Sequence, residues 1–583
     1  MKKRSIARWG AIAVAGAVVT ALTACGGTPT GSDTSDNAGG TVTYLGVGGQ
    51  WEGTDPASVY YGNELAALRR LVYRGLVAFP ITDDANPAPV GDLATDAGTT
   101  DDGGLTWTFT IKDGATWQDG TEITGDDFIY GLSRSYDETL VNGTGVGTTY
   151  LGQYAPTVVD AGYTGPFTSS DDAKAVFDEH FFADGQTVTY KFDVAWPDFP
   201  YAAASLFTTD PYQESFDDGT TLWEINSNGP YILDGGEFDS ATGGLFVRND
   251  NYDASTDSTD LREALPDEFN FEFVSDTDVL FQRLVADAGD DQTAFTDANI
   301  PATFYSQITG DVADRTVTST SPYTRFLEIN SLTVTDPKVR RALSVALDKN
   351  GVIEAWGGEN WGEPSTTIIA KALPGYQDNA SFADDNPDGD PEAAAALLAE
   401  AGVPNPEITF AFADTPTNQK LVPVIQQSWE AAGFVVTLNP IATDATPGYY
   451  GQMSDRDKNG NKVDVFFAGW ASDWPSLFGV VVPILQSNPD DVQYGVGFNY
   501  GFYSNAEVDD LIDQAFASTD ATEQASLLAQ ADEVAGADGA YVPIANQKNY
   551  FLYGSSIGGF LPDVASSYYP DFGSIYIVPE ESE

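Results

Sequence analysis

Apolar and polar residues alternate through Trp107-Thr108-Phe109-Thr110-Ile111, a period of two that predicts a half-buried strand. Lys112-Asp113-Gly114 and Gln118-Asp119-Gly120 are turns, and after them Thr124-Gly125-Asp126-Asp127 opens a helix as a T-x-x-D cap, with Phe128 and Leu132 on one face. Farther on, Val339, Ala342, Leu343, Ala346 and Leu347 form one helical stripe behind Asp336-Pro337, an N-cap followed by an N1 proline. Asp390-Pro391 repeats the device before an alanine-rich helix that Gly402 stops.

Residues 408–467 carry the clearest tertiary signal. A short apolar strand at 408–413 precedes a helix at 418–432 with Leu421, Val424, Ile425 and Trp429 inward; Gly433 ends it. Strands at 434–438 and 463–467 follow, so the pattern predicts a βαβ unit plus one strand, an α/β lobe. In such a lobe the ligand position lies beyond the carboxyl ends of the strands. There the chain reads Gly469-Trp470-Ala471-Ser472-Asp473-Trp474-Pro475, two indoles and one carboxylate at the predicted mouth. The competing reading makes Asp473 a turn cap and the two tryptophans core.

Composition narrows the chemistry. With 42% hydrophobic and 12% aromatic residues, the 500-odd positions after residue 40 suit a globular body of at least two lobes. One cysteine excludes an internal disulfide or thiolate cluster, and one histidine, His180, excludes a multi-imidazole zinc site. No nucleophile signature surrounds His180. The net charge of −61 is scattered in short clusters such as Asp101-Asp102; it repels nucleic acid and anionic lipid and reads as a solvated acidic coat.

The N-terminus has a cationic stretch (Lys2, Lys3, Arg4, Arg8) and an apolar run of about 14 residues, followed by Leu22-Thr23-Ala24-Cys25. This tetrad resembles a bacterial lipobox, which implies a signal peptide at 1–24 and lipidation of Cys25; an ordinary secretory peptide is the alternative. Residues 25–40 are a Gly/Ser/Thr/Asp stalk with too little apolar content to fold.

Seven further segments occur in a familiar order. They are Asp55-Pro56 with Leu71-Val72-Tyr73-Arg74-Gly75-Leu76-Val77; Trp107 through Gly120 with Thr124-Gly125-Asp126-Asp127-Phe128; Asn228-Gly229-Pro230-Tyr231; Asp336 through Leu343; Leu397 through Gly402; Gly469-Trp470; and Tyr503 through Asp509. Together they resemble the family 5 extracellular solute-binding proteins, the oligopeptide and dipeptide binders of ABC importers. The resemblance implies a periplasmic-binding-protein-like α/β fold (type II, cluster C) with a cleft between two lobes. Lobe I is expected at 41–295 and 546–583, and lobe II at 296–545. It implies a monomeric binding protein, not an enzyme, that closes on a peptide and passes it to a membrane permease, without cofactor or metal.

In relatives of this kind an aspartate soon after the Gly-Trp pair holds the ligand's α-ammonium, and Asp473 stands at the matching place, with Trp470 and Trp474 as walls. Where many oligopeptide binders carry an arginine, three positions before the tryptophan, this chain has Phe467. Arg325, opening the run that closes at Asn330, is the candidate cation in its place, and Asn330 is a further ligand candidate. An oligosaccharide ligand on the same scaffold stays open, since aromatic walls suit sugar faces, and a carboxylate-based surface hydrolase is a more remote alternative. Asp455 to Asp464 resembles half a calcium loop, but Phe466 occupies the position of the bidentate glutamate, so a metal-free polar hairpin is expected.

Overall fold

The computed structural model describes residues 38–579 except 52, 83–86, 138, 141–145, 220–222, 455–462, 488–497 and 563–567. Cys25, the signal peptide, most of the stalk and residues 455–462 of the calcium-like loop lie outside the described residues.

Two large sheets organise the chain. In the first, Thr41–Val47 lies between Ala294–Phe295 and Glu268–Val274, parallel to both, and Gly243–Arg248 and Tyr231–Leu233 extend the far side. Glu268–Val274 alternates buried Phe269, Phe271 and Phe273 with outward residues, as a sheet covered on one face requires. Beside it, the predicted 107–111 strand forms as Thr106–Thr110 and enters a three-stranded antiparallel sheet with Thr187–Lys191 and Phe181–Asp184. The T-x-x-D signal starts the helix Gly125–Arg134, where the Thr124 N–H donates to Asp127 Oδ2 at 2.7 Å.

The second sheet runs in the order Gly362–Pro364, Tyr541–Leu552, Thr316–Ile329, Val465–Ala471, Glu407–Ala413, Val435–Ile441. Glu407–Ala413 is parallel to both Val435–Ile441 and Val465–Ala471, and the helix Asn418–Ala431 makes the crossover, as the sequence predicts. Leu327, Ile329, Val465 and Phe467 pack on the helices Pro337–Ala346, Lys349–Trp356 and Asn418–Ala431. Phe326, Phe466 and Ala468 face the opposite way, so helices cover both faces. Asp336 and Asp390 cap their helices by accepting from Lys338 N and Ala393 N, both at 2.9 Å.

Thr316–Ile329 and Tyr541–Leu552 pair antiparallel along most of their length and run from one lobe into the other. One end packs with Leu45, Leu280 and Phe281, the other with Leu343 and Leu347. Their register slips between Thr320 and Thr324 and again between Arg325 and Phe326. Such bulges bend strands and re-aim side chains. After this pair the chain returns to the first lobe, where Asp571 meets Arg70 at 2.7 Å in full burial and Phe572 lies 5.5 Å from Tyr44.

One strand is longer than its apolar run suggests. The 463–467 signal becomes Val465–Ala471, so Gly469, Trp470 and Ala471 lie inside the strand, paired with Arg325, Thr324 and Tyr323. Hydrogen bonding to Thr316–Ile329 carries the strand on after its hydrophobic alternation stops.

Candidate functional site

The strand ends at Ala471, and the next residues leave the sheet toward the first lobe. Asp473 is met there by two tyrosines distant in sequence. Tyr60, just before the helix Gly62–Leu71, donates from Oη to Asp473 Oδ1 at 2.8 Å. Tyr150, in the helix Val146–Tyr154, donates to Asp473 Oδ2. Burial pushes the Asp473 carboxyl from its ordinary 3.8 up to about 6, against the pull of the two hydroxyls. Burial first, and the Asp473 charge second, hold both phenols well above their usual range, so they remain donors. No lysine or arginine forms an ion pair with Asp473 among the described residues.

Trp474 is 2% exposed and crosses the same interface. Its Nε1 donates to Asp198 Oδ2 at 2.6 Å, and its ring stands edge-on to Tyr150 at 4.8 Å. Burial raises the Asp198 carboxyl too. A cavity of about 20 Å³, room for about one water, remains between Ser205, Pro322, Ser472, Asp473 and Tyr568. The lobes are therefore shut on each other, with tyrosine hydroxyls at the carboxylate.

The other expected residues separate. Trp470 donates from Nε1 to Gly479 O at 2.8 Å and rests half-buried on Phe498 at 4.3 Å, on the second lobe. Arg325 lies directly across from Gly469, with Tyr323 and Trp356 rings at 5.7 and 5.5 Å. Asn330 does not reach the site. It follows the far end of its strand, where Ile329 pairs with Val465, and its amide donates to Val463 O and accepts from Leu332 N. Its side chain is thus engaged with the backbone of the turn, at the end of the strand away from Asp473. His180 ends the helix Asp171–His180, with Nδ1 2.9 Å from Val176 O and Nε2 3.3 Å from Asp193. Among the described residues no cluster of three His, Cys, Asp or Glu could hold a metal, and no helix is long and apolar enough to cross a membrane.

Sequence reasoning missed Tyr60, Tyr150 and Asp198. The chain has 28 tyrosines, and these partners lie 413, 323 and 276 residues from the group each meets. No local pattern marks such pairs.

Comparison with known proteins places this geometry in context. The profile described as "Bacterial extracellular solute-binding proteins, family 5 Middle" matches residues 88–491. The glutathione-binding protein GsiB of Shigella dysenteriae is 25% identical over 240 residues, 40% of this chain and 44% of that protein, so the match spans less than half the relative's length. Among solved structures, a clavulanic acid biosynthesis oligopeptide binding protein 2 superposes with a TM-score of 0.81 at 24% identity, over 93% of this chain and 96% of that one. The Escherichia coli murein tripeptide binding protein MppA gives a TM-score of 0.68 at 20% identity, covering 93% and 99%.

Proposed function

From the premise that this chain belongs to the family 5 bacterial extracellular solute-binding proteins, we propose that it captures short peptides by lobe closure and delivers them to the permease of an ABC importer. The observation that carries the reading is Asp473. Its carboxylate is buried where the lobes meet, is touched from the second lobe's strand end and the first lobe's tyrosines, and has no cation beside it among the described residues. A buried carboxylate is far more stable beside a cation, and a charge-assisted hydrogen bond is about twice as strong as a neutral one. The α-ammonium of a peptide supplies that cation, entering between Asp473 and the tyrosines. Relatives named for glutathione and for a murein tripeptide support the same ligand class.

In this reading lobe I comprises residues 41–295 and the returning C-terminal segment, lobe II the rest, and the paired strands Thr316–Ile329 and Tyr541–Leu552 the hinge. Ligand contacts drawn from both lobes exist only when the cleft is shut, so ligand shifts the population toward closure. Trp470 is a wall of the cleft, and Trp474 serves the lobe contact itself. Lipidation at Cys25 would hold a monomeric receptor beside its permease on the outer face of the membrane.

A thermal-shift series tests the reading. Trialanine at 100 times its dissociation constant should stabilise the protein by about 2.7 kcal/mol. Asp473→Asn should lose most of that shift, while N-acetyl-trialanine should give none with either protein. Stabilisation by maltotriose with no response to trialanine would overturn the proposal.

A further inference from the structure

Over residues 568–572 the returning chain touches both lobes and the hinge. Phe572 and Asp571 sit in the first lobe, against Tyr44 and Arg70. Tyr568 lies on the hinge, where Asn549 Nδ2 donates to its carbonyl oxygen at 2.9 Å. From there its phenol reaches the second lobe and donates to Ala372 O at 2.7 Å. Ala372 belongs to a segment fixed on that lobe. A Cβ on Gly375 would stand 2.7 Å from Ala525 Cβ, in the helix Ala521–Ala537, and Asn379 Nδ2 donates to Asp532 O of the same helix at 2.8 Å.

The backbone at Tyr568 is held in an uncommon state. Its φ is +64°, in the left-handed region that a bulky L side chain seldom occupies. Such a conformation persists where surrounding contacts over-determine it, and these outliers cluster at clamps and switch regions. Here the contacts act at both ends of the residue: the Asn549 bond on its carbonyl and the Ala372 bond from its hydroxyl. Tyr568 also lines the water-sized cavity beside Asp473, together with Pro322, Leu373 and Trp474. The bond to Ala372 joins residues of opposite lobes, so it exists only while the cleft is shut.

Resting on the lobe division and hinge assigned above, we propose that residues 568–572 form a strap across the shut cleft, with the Tyr568 hydroxyl as its clasp on Ala372. The clasp closes the Asp473 cavity from the chain's C-terminal return. Ligand reaches the carboxylate only after it lets go. The clasp therefore sets what fraction of the ligand-free protein is open, and capture slows in proportion to that fraction. Recognition itself needs no contact with the strap, which makes it a control on the resting state.

Hydrogen exchange on the full, ligand-free protein tests the strap. In Tyr568→Phe the amides of residues 471–478, covered when the lobes shut, should exchange roughly two- to tenfold faster, as expected from losing one neutral hydrogen bond of the closed form. Amides of residues 268–274 and 407–413, inside the two sheets, should keep their rates. Tyr568→Gly removes the hydroxyl and accepts the left-handed φ without strain, so it should speed the 471–478 amides at least as much. Stopped-flow association of trialanine should quicken in Tyr568→Phe by the same factor as the exchange. Unchanged exchange at 471–478 in both variants, or equal acceleration throughout the protein, overturns the strap and leaves the peptide reading intact. Faster exchange with an unchanged association rate overturns the control on capture. Faster exchange confined to 471–478, with no response of either protein to trialanine, upholds the strap and overturns the peptide reading.

Discussion

Ligand-free closure should depend on pH through Asp473. With the lobes shut, its carboxyl titrates at about 6; opened to water, it returns toward 3.8. The shut form therefore binds the proton more tightly. Above pH 6 the closed, ligand-free form carries the whole cost of a buried charge, and as pH falls from 6 toward 4 that cost disappears. A displacement of roughly two units corresponds to about 3 kcal/mol at most, since each unit is worth about 1.36 kcal/mol. Tyr60 and Tyr150, the groups that face the carboxyl, are held well above their ordinary range and stay protonated throughout. Asp198, behind Trp474, is also shifted upward by burial and adds a slope of the same sign. The assay is small-angle scattering on ligand-free protein from pH 8 to 4.5. The radius of gyration should fall as the pH drops through 6, and Asp473→Asn should flatten most of the change. A constant radius in the unaltered protein, or equal slopes in both, would refute the reasoning. Peptide affinity should run the opposite way, weakening below pH 6, because an ammonium ligand needs the carboxylate ionised.

Trp474→Phe keeps an aromatic ring but removes the indole donor to Asp198, which should cost the closed form about 1–3 kcal/mol and enlarge the ligand-free particle in scattering. Asp571→Asn breaks the buried pair with Arg70 that ties the returning chain to the first lobe; a loss of about 3–5 kcal/mol should appear in calorimetric unfolding, and a loss under 1 would contradict the assigned anchor. Asp336→Ala removes the cap of Pro337–Ala346 and should cost about 1 kcal/mol in urea denaturation, with peptide affinity unchanged.

What the sequence made legible follows the range of the interactions. Capping at Thr124, Asp336 and Asp390 is decided within three residues, and the βαβ unit within about one crossover, so local spacing suffices for both. Asn330 shows the limit. The sequence makes it a further ligand candidate beside Arg325, but its side chain is engaged with Val463 and Leu332 in the turn, and only the folded register separates it from Asp473. The extension of Val465–Ala471 was illegible for a related reason: its last residues are held by a partner strand more than 140 positions earlier, not by their own alternation.

The end of that strand also explains why two adjacent residues serve different purposes. Inside a strand, neighbours are bound to opposite faces, as Gly469 before Arg325 and Trp470 against Phe498 show. After Ala471 the ladder stops and the alternation no longer binds, so Asp473 and Trp474 both turn toward the first lobe. Trp474 spends its donor on Asp198 and becomes part of the interface. Asp473 receives only neutral hydroxyls, and a buried charge satisfied in that way is weaker than one beside a cation. On the proposed function, the closed, ligand-free cleft thus retains an electrostatic deficit that a cationic ligand would relieve. On that reading, capture is then favoured over empty closure at neutral pH, and acid should erode that preference through the Asp473 carboxyl, with Asp198 acting in the same direction.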